Sequence, residues 1–482
     1  MDKRPEGFCQ SPIKNSVEIA AGVKGPKMDA VNRFPSIGEI IDQRPLSRFQ
    51  SVTMLLCGIV LVLDGFATQS IGFLAPSMAQ SLHVSVHTFG PVFAAALIGL
   101  MVSSMAAGPI ADRVGRKGPI IVATLIFGAF SVATARSVTF NELVIFRFLS
   151  GLGFGAAIPN AVALTAEYAP KRLQQTVITV LFASMPLGAL LGGLVSSVML
   201  PRWGWRSVFY TGGILPLMIG LILIKVLPES LRFLAASGRD RQSVRRIFSR
   251  IAPELKELDF DMAPAEQEQR LAGVPVAQLF SEGRAVGTIL LWVPFFMNLL
   301  MLYFMVTWLP ALLQQRQMTV LAGVFGISIF SFGGIVGSLL QGRAMNAWGG
   351  FNVLFSEFVL CLFLISSLAL VAAFPLMMVV TFLCGGLIQG AQAGLNALSA
   401  TYYPTWIRST GVGWALGVGR LGSIVGPLLG GIVLSQHWSL SKIFFSGATP
   451  ALLAALAIML SRALSYGNSP YRQRSAAEGS AL

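Results

Sequence analysis

The stretch Leu164-Thr-Ala-Glu-Tyr-Ala-Pro170 returns 234 residues later as Leu398-Ser-Ala-Thr-Tyr-Tyr-Pro404, and this echo decides how the chain is read. The same offset carries Pro76 onto Pro310, and Gly108 and Gly115 onto Gly342 and Gly349. It also carries Gly188 and Gly192 onto Gly422 and Gly426. One match at a chosen spacing is cheap. A single offset that serves five pairs of segments implies two parallel copies of one unit.

Each copy consists of long apolar runs. A helix needs about 20 apolar residues to cross the hydrocarbon core of a bilayer. Twelve runs qualify: 52–74, 88–107, 119–138, 141–163, 176–200, 207–227, 286–309, 320–341, 351–373, 375–400, 409–434 and 441–461. Composition agrees, with 54% hydrophobic and only 12% charged residues among 482, and a mean hydropathy of +0.71. Soluble chains carry about 25% charged residues. A soluble enzyme, a disordered scaffold and a nucleic-acid binder are therefore excluded, despite a net charge of +14. The expected fold is an all-α polytopic membrane protein, twelve transmembrane helices in two six-helix repeats. Its parts are a tail (1–50), a first bundle (51–227), a polar linker (228–285), a second bundle (286–462) and a second tail (463–482).

Basic residues set the orientation, because cytoplasmic loops are enriched in Lys and Arg. With the N-terminus inside, 28 of the 35 Lys/Arg are cytoplasmic. Arg136, Arg202, Arg206, Arg316 and Lys442 fall outside, and Arg147 and Arg420 lie within spans. Both termini and the linker are thus expected in the cytoplasm. Residues 1–50 hold eight Lys/Arg and no apolar core, so no signal peptide is expected there. Cys57, Cys361 and Cys384 sit in apolar runs and Cys9 in the tail, a pattern with no disulfide framework. His83 and His87 lie four apart in a short loop, and His437 is the only other histidine, so no metal or bound cofactor is expected.

Two polar clusters fall at the cytoplasmic ends. The loop after span 2 reads Gly108-Pro-Ile-Ala-Asp112-Arg113-Val-Gly115-Arg116-Lys117. Its glycines would let span 2 approach a neighbour, and its Asp/Arg set could lock that face by charge-assisted hydrogen bonds. In the second copy Asp112, Arg113 and Lys117 become Asn346, Ala347 and Phe351, so one half supplies most of the lock. Glu167, with Lys171 and Arg172, follows span 4, and Arg408 follows span 10. Glu167 could pair with a base across the halves or remain a surface carboxylate, since exposed pairs contribute little. Pro228-Glu229-Ser230 closes span 6.

Ionisable groups at bilayer depth are costly unless paired or facing a cavity, and so are functional candidates. Asp64 and Arg420 stand near the middle of spans 1 and 11, and Arg147 lies shallower in span 4. Arg420 offers a permanent charge and a planar fork for a carboxylate. It would bind a substrate anion or brace a nearby acid. Burial makes the protonation of Asp64 switchable, so it would carry a proton or pair permanently with an arginine. Its repeat mate Asn298 cannot titrate. Arg147 would touch ligand or brace the outer rim, and Glu357 falls early in span 9. Asn160 in span 4, with Gln389, Gln392 and Asn396 on one face of span 10, supplies polar groups for a cavity. Tyr303, Phe304 and Trp308 in span 7 could wall it.

The loop 108–117 resembles the signature loop of major facilitator transporters, whose fold is the one expected above. The wider residue set is similar to the aromatic acid:proton symporters, a bacterial branch of that superfamily. It comprises Pro45-Leu-Ser-Arg-Phe, Asp64-Gly65-Phe66, Ile71-Gly72-Phe73-Leu-Ala-Pro76 and the run from Arg147 to Asn160. In the second half it comprises Gly390-Ala-Gln392, Arg408-Ser-Thr-Gly411-Val-Gly413 and Gly419-Arg420. The resemblance spans roughly 38–465 and implies inward symport of a benzoate-like acid with a proton, feeding catabolism. It further implies roles for Asp64, Arg147, Glu167, Arg408 and Arg420. One position departs: the family's second acid, three residues after the first, is Ala67 here. Thr68 and Gln69 cannot replace it as acids.

The expectation is therefore a transporter and not an enzyme, in a bacterial inner membrane. Its partners would be an aromatic carboxylate and a proton, within the lipid bilayer, with no nucleic acid and as a monomer. A proton on Asp64 and the anion at Arg420 would neutralise the cavity and permit rocking of the halves. The alternative is an efflux or uptake carrier for another organic anion or a drug. Family-like sequence begins after Met28, so residues 1–27 are expected to lie upstream of the native start.

Overall fold

A computed structural model describes residues 41–231, 233–234, 246–247, 249–251, 276–281, 283–403 and 407–467. Outside these lie Cys9, the question of residues 1–27, most of both tails and most of the linker. The described chain is helical, as lipid demands when every backbone group must be satisfied internally. The helices are α1 (Arg48–Ser81), α2 (Gly90–Val114), α3 (Lys117–Arg136) and α4 (Phe140–Tyr168). A 56-residue helical run, Lys171–Val226, is broken at Gly204 (φ 73°, ψ 176°), and its two arms are α5 (171–203) and α6 (205–226). The second half supplies α7 (Ala285–Gln315), α8 (Val320–Trp348), α9 (Gly350–Ser367), α10 (Phe374–Tyr402), α11 (Arg408–Ser435) and α12 (Leu440–Gly467).

Twelve crossings result, and several of the expected boundaries move, by up to seven residues. Span 1 runs on through Pro76 to Ser81. Span 9 stops at Ser367 rather than 373. Arg316, at the end of α7, donates to the carbonyls of Leu368 (2.6 Å) and Ala369 (2.8 Å) and to that of Val371. Those oxygens are taken by a side chain, so the helix ends there.

The repeat is visible in the backbone. Four of the seven left-handed residues among those described fall on the same offset: His83 (φ 53°) with Gln317 (φ 62°), and Gly115 (φ 89°) with Gly349 (φ 82°). Close helix contacts repeat as well. A side chain at Gly188 would strike the Val62 carbonyl, and one at Gly422 the Phe296 carbonyl, the same partner 234 residues on. Gly99 against Phe148 is matched by Gly333 against Phe382, and Gly151 against Ala96 by Gly385 against Phe330. Small residues let backbones meet where lipid supplies no hydrophobic drive for helix association.

The halves meet along α1 and α7 at the centre, α2 with α11 on one flank and α5 with α8 on the other. A proline inside a helix leaves the carbonyl four residues earlier without its hydrogen bond. Pro76 and Pro310 act on Gly72 and Val306, and these two residues touch. Two ends can be distinguished: the linker end, where α1 begins, and the far end. At the far end α2 and α11 are in contact, Gly90 against Pro427 and Gly431 against His87. Phe93 packs edge-on against Trp308, ring centres 5.3 Å apart. At the linker end a side chain added at Gly108 of α2, or at Gly413 or Gly417 of α11, would meet no atom within 4 Å. Between α2 and α11 the far end is closed, while at the linker end these glycines meet no neighbour.

Candidate substrate site and linker-end clamp

Asp64 sits midway along α1 with no exposed surface. The Thr68 hydroxyl, one turn on, donates to its Oδ1 at 3.0 Å, and Oδ2 has no partner. Arg147 of α4 is also fully buried, deeper than its place in the sequence suggested, and its Nη1 donates to the Ala67 carbonyl at 3.4 Å. The guanidinium lies 5.9 and 6.0 Å from the rings of Phe154 and Phe209, while Nε and Nη2 have no partner. Arg420, half-buried on α11, lies beside Tyr303 of α7. Both arginines are near enough to act on the Asp64 charge, and neither forms an ion pair with it. Arg147 lines one small cavity with Thr68, Phe93, Tyr303 and Thr307 among others, while Asp64 stands behind Thr68 and Arg420 behind Tyr303.

The polar residues of the second half form a chain. Asn298, buried on α7, donates from Nδ2 to Gln392 Oε1 (3.0 Å) and to the Ile388 carbonyl (3.1 Å). Gln392 Nε2 donates in turn to Asn396 Oδ1 (3.4 Å). Asn160 donates to its own helix at Ala156 (2.8 Å), leaving its Oδ1 buried without a partner. Gln389 departs from the expected face, because it packs on Gly334 of α8. The aromatic trio of span 7 also divides. Tyr303 joins Arg420. Phe304 packs against Gly447 of α12, and Trp308 donates to the Pro427 carbonyl (2.9 Å) within the far-end seal.

At the linker end the signature loop forms a clamp inside the first half. Arg116 Nε donates to Glu167 Oε1 at 2.9 Å, and the Ser230 hydroxyl donates to the other oxygen of Glu167. Glu167 therefore pairs within its own half in this structure, not across the halves. Glu229 accepts from the amides of Arg116 (2.7 Å) and Lys117 (3.1 Å) at the start of α3, where a carboxylate suits the helix dipole, and from that of its neighbour Ser230 (2.8 Å). Its own carbonyl accepts from the Tyr168 hydroxyl at 2.8 Å.

Gly115 is required twice. Its φ is positive, and a Cβ would fall 2.5 Å from the Glu229 carboxyl. Its expected task of letting span 2 approach a neighbouring helix is corrected accordingly, as is that of Gly108, which faces open space. Arg113 is exposed and Lys117 half-buried. The side chains of Asp112 and Arg408 lie outside the described residues. Sequence spacing gives no link between Glu229, at the close of span 6, and a loop 113 residues earlier.

Elsewhere in the second half, Gln341 of α8 donates to Glu357 of α9 at 3.1 Å, both buried.

The chain belongs to the major facilitator superfamily: the model of that family matches residues 57–391. It is a multi-pass membrane transporter, not an enzyme. Among its relatives is the 4-hydroxybenzoate transporter of Acinetobacter baylyi, 37% identical over 424 residues, covering 87% of this chain and 93% of that protein. The gallate transporter of Pseudomonas putida is also 37% identical, covering 87% and 93%. Among solved structures, the xylose transporter of Escherichia coli in a partially occluded inward-open conformation superposes with a TM-score of 0.65. It is 17% identical, covering 85% of this chain and 97% of that one, and supports the fold alone.

Proposed function

We propose that the protein is a bacterial inner-membrane carrier that imports a benzoate-like aromatic carboxylate together with a proton. The observation that carries this reading is the state of Asp64: buried, held by one hydroxyl, near two arginines and ion-paired with neither. A carboxylate locked to an arginine would be a brace. One left like this is suited to exchanging a proton, since a buried charge without a partner is expensive. Protonation removes the negative charge that both guanidinium groups feel, leaving both for an anion. Proton and anion binding then reinforce each other. The 4-hydroxybenzoate and gallate carriers among the relatives support an aromatic acid, and Phe93 and Tyr303 give the cavity ring-faced walls.

The excess of basic residues at the linker end supports a cytoplasmic place for that end and both termini. The far-end contact of α2 with α11 would then face out. Alternating access would be rocking of 51–227 against 286–462 about the Gly72–Val306 contact, driven by the proton gradient in a monomer. The second arginine argues against an efflux carrier for cationic drugs, which would prefer acids in the cavity.

Uptake of radiolabelled 4-hydroxybenzoate, protocatechuate and gentisate into proteoliposomes, with and without a proton gradient, tests the proposal. Accumulation that a protonophore abolishes is the expected result. Accumulation indifferent to it would sink proton coupling, and no uptake of any aromatic acid would sink the substrate class.

A further inference from the structure

This inference rests on the aromatic-carboxylate reading and sharpens its substrate. At mid-depth, the charged side chains of the helices around the cavity (α1, α2, α4, α5, α7, α8, α10 and α11) are Asp64, Arg147 and Arg420. Tyr303 stands beside them as a phenol. The excess cation has a local cause. Arg147 reaches the carbonyl of Ala67, where the side chain is a methyl packed with Leu63, Leu100, Phe127 and Phe154. An acid on that turn would neutralise the guanidinium, and alanine does not. Phe154 and Phe209 compensate in part through their ring faces. Two donor nitrogens stay buried and unpartnered, and a buried cation without an acid is costly to maintain.

The charge balance then points to the ligand. With Asp64 ionised the three groups sum to one positive charge, which a single carboxylate cancels without any proton. With Asp64 protonated they sum to two, which takes two carboxylates. A cavity that closes neutral with a proton aboard is therefore one that holds a dianion. Arg147 lines the cavity directly, and Arg420 stands next to Tyr303, a phenol of the same lining. We propose that the substrate is an aromatic acid carrying two carboxylates, one held by Arg420 and one by Arg147, with Ala67 the residue that leaves Arg147 free for it.

The test is competition binding to the purified full-length protein. Benzoate and 4-hydroxybenzoate are compared with benzene-1,2-, 1,3- and 1,4-dicarboxylate. At least one dicarboxylate should bind about ten- to a hundredfold more tightly than benzoate, the size of one charge-assisted hydrogen-bonded contact. Ala67→Asp should bring that ratio to within about threefold of unity, by supplying Arg147 with its own acid. Should Ala67→Asp fail to fold, Arg147→Gln asks the same question and should also erase the ratio. Monocarboxylates that match every dicarboxylate in wild type, or a ratio untouched by whichever variant folds, would overturn the inference. Proton-coupled uptake of monocarboxylates alone overturns this inference and leaves the proposed function standing. No binding of any aromatic acid overturns both.

Discussion

The two halves share a backbone and differ in their chemistry. At matching positions the first half carries Asp64 where the second has Asn298, and Arg147 where the second has Thr381. Conversely, Arg420 stands opposite Pro186. The Glu229 clamp under α3 falls at Ala463 in the second copy, an exposed alanine. What stays constant is the set of glycines whose missing Cβ lets carbonyls approach. Frame and function are thus separable: close backbone contacts hold both halves alike, and ionisable groups are distributed unequally over them. The first half carries the titratable acid, and the second a neutral amide chain and the half-buried Arg420.

The largest effects should come from breaking what the halves share. Gly188→Leu and Gly422→Leu each drive a side chain into a backbone carbonyl that cannot move away. Both should cut the yield of monodisperse protein on size exclusion more than tenfold, and to a similar degree. A large disparity would show that one half carries most of the folding stability.

Next come changes that exchange the chemistry between halves. Asp64→Asn should abolish uphill accumulation while leaving counterflow exchange, because an amide mimics the protonated acid and cannot release a proton. Asn298→Asp should leave accumulation sensitive to a protonophore. If Asp64→Asn still concentrates substrate, the proton site is not in the first half. Arg420→Ala should raise the KM for uptake about ten- to a hundredfold, with Arg420→Lys between it and wild type, since a fork is replaced by a point charge. Unchanged KM in both would remove Arg420 from the binding reading.

The smallest effect belongs to the clamp. Glu229→Ala leaves two amides at the start of α3, and that of Ser230, without their acceptor and should lower stability by about 1–3 kcal/mol in thermal melts. Ala463→Glu, its counterpart, should change nothing.

The helices were legible because a span is a local property. Apolar length declares it, and the offset of 234 needed only residue identities. Contacts between distant segments were less so. Gln389, Gln392 and Asn396 share a face by periodicity, but that face borders both α8 and α7, so Gln389 met Gly334 while Gln392 met Asn298. Trp308 read as a wall of the cavity because an aromatic in a span has no signature for seal or pocket. Its indole donates to Pro427, 119 residues away, and no pattern in span 7 announces that partner. Gly115 was visible as a glycine of a familiar loop, and only the φ of 89° and the Glu229 carboxyl explain it.

The contacts named at the far-end seal are glycines against carbonyls, an indole donating to a carbonyl and one ring on the edge of another. Added electrolyte screens exposed charges and has no purchase on such contacts. A cell moving from fresh water to brine would therefore keep this door equally tight.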